Sequence, residues 1–271
     1  MNNKYDLLLL IVIYNNPVSS SETFKTIMNN IDNSTLVMIY DNSNISQLDV
    51  QLHENYIYVW NGQNNGLAEA YNESFRLAKK YSIDWVTLFD QDSKVPNDFL
   101  DTVKAEILKN KEYVALVPRI KVNEKIISPF NTKNALFGVK DEIKDTAINS
   151  GNTIKCSYIN KNNYIFGKNY TLDFLDYDFF KDLQDNHEKF KIIDEVIEHN
   201  LSTSNYATMS DSRYSLFLKA ETKFVYNNYI SYIRRYRLKL MLRVLKIIMQ
   251  RGSIIKIKQT FKQVINSRGD S

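Results

Sequence analysis

Five short apolar runs punctuate the first half of the chain: Leu7 to Tyr14, Leu36 to Tyr40, Tyr56 to Trp60, Trp85 to Phe89 and Val114 to Val117. Each has strand length and is rich in β-branched, leucine and aromatic residues. Between them apolar residues recur at spacings of 3 and 4, the period of a helix with one buried face. Phe24, Ile27, Met28 and Ile31 form one such set, with Pro17 ahead of them in a plausible first helical turn. Leu67, Tyr71, Phe75 and Ala78 form a second, and Phe99, Val103 and Ile107 a third. Strands alternating with helices imply an α/β fold with right-handed crossovers, a mainly parallel sheet and helices on both faces. In such sheets ligands bind beyond the carboxyl ends of the strands.

Past residue 119 the pattern weakens. Lys121 to Ser150 reads as polar loops with one weak edge strand, and Asn152 to Ile159 as a strand. Leu172 to about His187 reads as a helix, and Phe190 to Ile197 as a strand closed by Glu198, His199 and Asn200. From Tyr229 to Met249 the spacing predicts an amphipathic helix. Arg235, Lys239, Arg243 and Lys246 make its basic stripe, and Ile233, Leu240, Met241, Val244, Leu245 and Ile248 its apolar face. A second segment of the same style follows Gly252, with Ile254, Ile257, Phe261, Val264 and Ile265 among Lys256, Lys258 and Lys262.

Charge divides the chain along the same line. From Lys219 to Ser271 there are 13 Lys/Arg against Glu221 and Asp270, which leaves 22 basic and 29 acidic residues in the first 218. An acidic body therefore carries a basic, apolar tail. The expected division is a domain over 1–220 and an appended tail over 221–271. A basic helix with a broad apolar face suits an anionic membrane surface, or else its own domain or a dimer partner. The acidic body and the lack of a recognition motif argue against nucleic acid. One cysteine, Cys156, excludes an internal disulfide framework and a cysteine-rich zinc site. The run Leu7 to Ile13 is too short to span a bilayer and lacks the flanks of a signal peptide.

The polar residues that follow the strands are the candidates for chemistry. They are Tyr14-Asn15-Asn16, Asp41-Asn42-Ser43, Asn61 to Gly66, and Asp90-Gln91-Asp92-Ser93. Carboxylates at i and i+2 of extended chain point the same way, so Asp90 and Asp92 can face one hard cation such as Mg²⁺ or Mn²⁺. The same residues would also serve as a solvated turn capping a buried strand. No Gly-x-Gly-x-x-Gly turn follows the first strand and no Walker-type loop occurs, which weighs against a dinucleotide fold. Asp173, Asp176 and Asp178 stand at the start of a predicted helix, where acids are favoured by the helix dipole. One of them placed near a substrate hydroxyl would be a general base.

Taken in order, Ile-Val-Ile-Tyr-Asn (11–15), Tyr-Asp-Asn-Ser (40–43), Asn-x-Gly-Leu-Ala-x-Ala-x-Asn (64–72), Leu-Phe-Asp-Gln-Asp-Ser (88–93), Asp-Phe-Leu-Asp-Tyr-Asp (173–178) and His199 resemble a family 2 glycosyltransferase. The Asp-Gln-Asp-Ser motif is similar to that of the rhamnosyltransferase branch. The resemblance covers about residues 6–220 and implies a GT-A-type, Rossmann-like mixed sheet followed here by C-terminal amphipathic helices. It further implies that Ile13, Tyr14 and Asn15 line a base pocket, with Asp41 bonding the base, and that Asn65 and Gly66 close over the nucleoside. Asp90 would meet the ribose or a metal, and Asp92 would ligate the Mn²⁺ or Mg²⁺ that bridges the diphosphate. His199 would lie near the diphosphate or metal, and Arg213 near phosphate. Asp176 takes the position of the catalytic base, with Asp173 and Asp178 orienting or facing the acceptor.

The chain departs from the family where a Glu is Asp178, a Trp is Phe179 and an Arg-Asn pair is Lys219-Ala220. The implied activity is inverting transfer of a hexose, rhamnose as the first guess, from a dTDP- or UDP-linked donor. The acceptor would be a glycan or undecaprenyl-diphosphate-linked sugar on the cytoplasmic face of a bacterial cell membrane. UDP-galactose, UDP-galactofuranose and UDP-glucose are alternative donors. A non-catalytic sugar-nucleotide or glycan-binding module is the alternative of another class. A sugar-nucleotidyltransferase would need a Gly-rich basic loop where Tyr14-Asn15-Asn16-Pro17 stands.

Overall fold

A computed structural model describes residues 5–199, 206 and 209–265. The chain divides into two compact units, one of residues 1–130 and 144–200, the other of 131–143 and 201–271. The expected boundary at 220 falls inside a helix of the second unit, and Asn200 and residues 266–271 lie outside the described part.

In the first unit the apolar runs are strands. β1 (Leu7–Ile13), β2 (Thr35–Asp41), β3 (Tyr56–Trp60) and β4 (Trp85–Asp90) pair in parallel in the order β3-β2-β1-β4. β1 and β2 are buried along their whole length, as continuous apolar runs covered on both faces should be. α1 (Glu22–Met28) and α2 (Leu67–Tyr81) supply crossovers, and α3 (Phe99–Lys109) follows β4. Ser21, rather than the turn at Pro17, caps α1 by accepting from Phe24 N at 3.1 Å. Register decides where the polar residues go. Ile13 stands opposite Asp41, Asp41 opposite Trp60, and Val12 opposite Asp90, so the strand ends form one row.

The rest of the sheet is mixed. β5 (Ser93–Lys94) pairs antiparallel with the far end of β9 (Phe190–His199), which runs parallel to β6 (Ala115–Val122). β7 (Lys125–Ser128) is the weak edge strand expected in the polar span, hairpinned onto β6. β8 (Thr153–Lys155) lies antiparallel between β4 and β6. It is shorter than the strand expected over 152–159. Lys155 is opposite Trp85, the first residue of β4, so beyond it no partner strand is left. Cys156 N turns to Asp84 O at 2.8 Å and the chain enters α5 (Cys156–Asn162) instead. α6 (Leu175–Asp185) matches the helix predicted after Leu172. The core is the cluster of β1, β2, β4, β6 and β9 side chains with Phe24, Phe99 and Val103 from the helices.

The second unit is helical. α4 (Thr132–Phe137) was expected as loop, but Asn131 caps it by accepting from Asn134 N at 2.8 Å. α7 (Asp211–Asn228), α8 (Ile233–Met249) and α9 (Ile254–Ile265) complete the unit. The facing of α8 departs from the sequence reading. Tyr236, Leu240, Arg243 and Ile247 are its buried residues, whereas Met241, Leu245 and Ile248 are exposed. Arg243 leaves the expected solvent stripe because it forks onto Glu221 of α7, at 2.6 and 2.7 Å, with the Tyr206 ring 4.5 Å away. Burial alone would raise the Glu221 carboxyl, but Arg243 outweighs it and holds the acid below its ordinary range. Lys239 is drawn the same way, 3.9 Å from Glu221 and donating to Ala135 O at 2.7 Å. No helix among the described residues is long and apolar enough to cross a membrane.

Candidate active site

β4 carries the chain to Asp90, and residues 91 and 92 turn so that Ser93 can enter β5. The two carboxylates thus converge through a turn rather than by strand alternation. Because Ser93 is in register with His199, the short β5 delivers the imidazole to the turn. Nδ1 of His199 lies 3.5 Å from Asp92 Oδ1 and 3.0 Å from Ser93 Oγ. One ligand atom each from Asp90, Asp92 and His199 lies within 4.8 Å of the other two. Two carboxylate oxygens and an imidazole nitrogen suit a divalent cation such as Mn²⁺ or Mg²⁺, so the residues present fit the group.

Neighbouring polar residues, among them Ser150 that no sequence motif marks, hold this cluster. Gln91 receives Tyr14 N on its Oε1 at 2.8 Å and donates to Tyr14 O at 3.4 Å, tying the turn to the end of β1. Its own carbonyl accepts from Ser21 Oγ at 2.8 Å, so the cap of α1 is also anchored there. Ser150 bonds Asp90 N at 3.2 Å and Ser93 Oγ at 2.7 Å. The sequence signal for Ser93 was its place in the motif; Ser150 gave none. Outer partners of a metal-binding imidazole set its orientation. Ser93→Ala is therefore expected to weaken Mn²⁺ binding by about 10- to 100-fold in calorimetric titration. Unchanged affinity would remove Ser93 from this role.

The expected nucleotide side is grouped at the row of strand ends. Ile13 is buried at the end of β1, Tyr14 is exposed, and Asn15 adopts a left-handed φ of 49° with its N–H on Ser43 Oγ at 2.7 Å. Asn65 N donates to Asn42 Oδ1 at 2.7 Å. Gly66 starts α2 with φ 84° and ψ 163°, a conformation essentially confined to glycine. Asp41 is engaged by its own loop. Oδ1 accepts from Ser43 N at 3.0 Å, and Oδ2 from Gln47 N at 2.7 Å and Tyr58 OH at 2.5 Å. Its observed work is to shape the loop after β2. The carboxylate is fully buried there.

Asp176 lies in the first turn of α6, where Oδ1 accepts from Tyr177 N at 2.9 Å. Burial raises its carboxyl to about 7, against that bond and with help from Asp173 and Asp90. Asp90 is likewise raised by burial, to about 6; His199 opposes the shift and Asp92 adds to it. Asp90 and Asp176 also act together on Tyr71, whose hydroxyl burial pushes well up and which bonds Asn149. The metal-type cluster and the acid at α6 therefore share one electrostatic neighbourhood. Asp178 has a different occupation. It accepts from Asn169 Nδ2 at 3.2 Å and Tyr164 OH at 3.3 Å, fastening the preceding loop to α6. Arg213 sits in the first turn of α7, in the second unit. A polar cavity of about 390 Å³ opens beside the cluster, lined by Gln91, Asp92 and His199 with Lys94, Lys121 and Glu198.

The mixed sheet, its flanking helices and an acidic turn at the strand ends define a GT-A fold. Residues 9–165 match the sequence profile of glycosyl transferase family 2. The chain belongs to that family, and with it to glycosyltransferases that use nucleotide-sugar donors. No curated protein matches the chain.

Proposed function

We propose that the chain is an inverting hexosyltransferase that extends a lipid-linked or polysaccharide acceptor from a dTDP- or UDP-linked sugar, rhamnose being the first donor to test. One observation carries this reading: a half-buried acid at α6, its carboxyl raised to about 7, within electrostatic reach of the Asp90 carboxylate of a cation-type cluster. A general base works best with a pKa near the operating pH. Asp176 accepts the acceptor hydroxyl's proton as that oxygen attacks the anomeric carbon from the face opposite the diphosphate. The carbon–diphosphate oxygen bond breaks in the same displacement, inverting configuration. Asp173 repels charge on Asp176 and so keeps it basic.

Asp92, Asp90 and His199 would hold the divalent cation, which supplies Lewis-acid stabilisation of charge on the leaving diphosphate. Tyr14, Asn15, Asn65 and Gly66, with Asp41 behind them, would hold the nucleoside. Residues 1–220 carry the transfer chemistry in this reading, and the basic tail holds the enzyme at the inner membrane face near its acceptor. A panel of dTDP- and UDP-sugars, each with and without Mn²⁺, tests it by thermal shift and donor turnover. One donor should raise Tm and be consumed in a metal-dependent way. A panel without any shift or turnover would overturn the reading.

A further inference from the structure

α9 is turned inside out. Its buried residues are Lys256 and Thr260, at 2% and 0% exposure, while Ile254, Phe261 and Ile265 stand at 68%, 52% and 61%. The inward side is satisfied by polar partners on and beside α7. Lys256 donates to Met209 O and approaches Asp211, Thr260 shares a 2.6 Å hydrogen bond with Tyr214 OH, and Ser253 holds Asp211 at 2.9 Å. A soluble surface helix normally does the opposite, with apolar residues inward.

α8, which packs on α9, repeats the arrangement on its outward side. Leu238, Met241, Leu242, Leu245 and Met249 are all exposed, Met249 at 83%. Their spacing places them on the side of the helix opposite Tyr236, Leu240, Arg243 and Ile247. Apolar side chains at such density are more than the scattered exposed leucines of an ordinary surface.

The charges around this face choose its partner. Arg234, Arg235, Lys246, Lys258 and Lys262 are exposed on the same two helices, and 233–265 contains no Asp or Glu. A second copy docked through this face by two-fold symmetry would set like charges against like with no acid to offset them. An anionic lipid surface supplies both missing halves, an apolar layer and a sheet of negative charge. We propose that the outward faces of α8 and α9 form an interfacial anchor that lies in the surface of an anionic bilayer. This deepens the reading of the chain as a transferase for lipid-linked acceptors and names the tail residues that carry the contact. Apolar residues sink below the headgroups, and the arginines and lysines snorkel to the phosphates.

The test is co-sedimentation of the full chain with phosphatidylcholine vesicles, with and without phosphatidylglycerol. Binding is expected only with phosphatidylglycerol and should weaken in high salt. Leu245→Gln with Phe261→Gln, both exposed and so free of core packing, should lower partition on the order of 100-fold. Arg234→Gln, Arg235→Gln and Lys246→Gln should each lower it about fivefold. Equal vesicle binding by the Leu245/Phe261 variant would overturn the anchor, as would a dimer that this variant dissolves, which would assign the face to a second copy. Donor turnover in detergent-free buffer, assayed in parallel, keeps the two readings separate. Turnover without vesicle binding sinks the anchor alone, and vesicle binding without turnover of any donor sinks the transferase reading alone.

Discussion

Asp176→Asn is expected to lower sugar transfer by about two to four orders of magnitude, with donor affinity essentially unchanged. Asn keeps the oxygen that accepts from Tyr177 N, so the first turn of α6 survives, but it has no basic lone pair for the acceptor proton. The same substitution should stabilise the protein at neutral pH, a pairing that a merely structural residue would not give. The Asp176 carboxyl titrates near 3.8 when unperturbed and about 7 in the folded chain. The folded state therefore holds this proton more tightly than the unfolded one. Stability is unaffected below the lower value, falls as pH rises between the two, and carries the full penalty above about 7. With part of the shift discounted for solvent, that penalty is on the order of 2 kcal/mol. In metal-free buffer Tm of the variant should exceed wild type by a few degrees at alkaline pH and match it at acid pH. Turnover of the wild type should follow the opposite course, rising with pH through about 7 as the base is freed. A Tm that does not move, or a rate flat across neutrality, would remove Asp176 from the role of base.

Much of the fold was legible because β1, β2 and β4 are buried on both faces and therefore spell themselves as mostly apolar runs, Thr87 in β4 being satisfied by Thr153. Once they align in parallel, their ends deliver Ile13, Asp41 and Asp90 to one row without further information. The family motifs named the same positions, and the profile match over 9–165 bears out the family. What was not legible depends on long-range pairing. β8 stops at Lys155 because of where β4 begins, a fact located some seventy residues away. Arg243 looks like one cation of a stripe until Glu221 is known to face it. Ser150 meets Ser93 and Asp90 only because a loop folds back across the sheet, so no local pattern marks it. Asp178, by contrast, sits in a motif yet serves the loop at Asn169 and Tyr164. Position in a motif tells which residues gather; hydrogen-bond partners tell which are already spent.

Asp92→Ala should reverse sign with the metal, and that reversal tests the cation site independently of turnover. In Mn²⁺ the variant would lack one of the three groups proposed to ligate the cation, and donor affinity should fall by more than about 100-fold, beyond what loss of an outer-shell partner costs. In metal-free buffer the wild type presents Asp90 and Asp92 to a diphosphate bearing the same sign of charge, so its donor affinity is expected to be poor. Removing Asp92 then relieves repulsion, and the variant should bind the donor somewhat better than the wild type. It also takes away a neighbour that raises Asp90 and a carboxylate 3.5 Å from His199, leaving the imidazole with Ser93. Calorimetric titration of the nucleotide sugar into both proteins, with and without Mn²⁺, reads all four affinities. Curves that cross in this way assign Asp92 to the cation. Parallel losses in both buffers would instead make it a direct contact of the donor, and equal affinities throughout would take it out of the site.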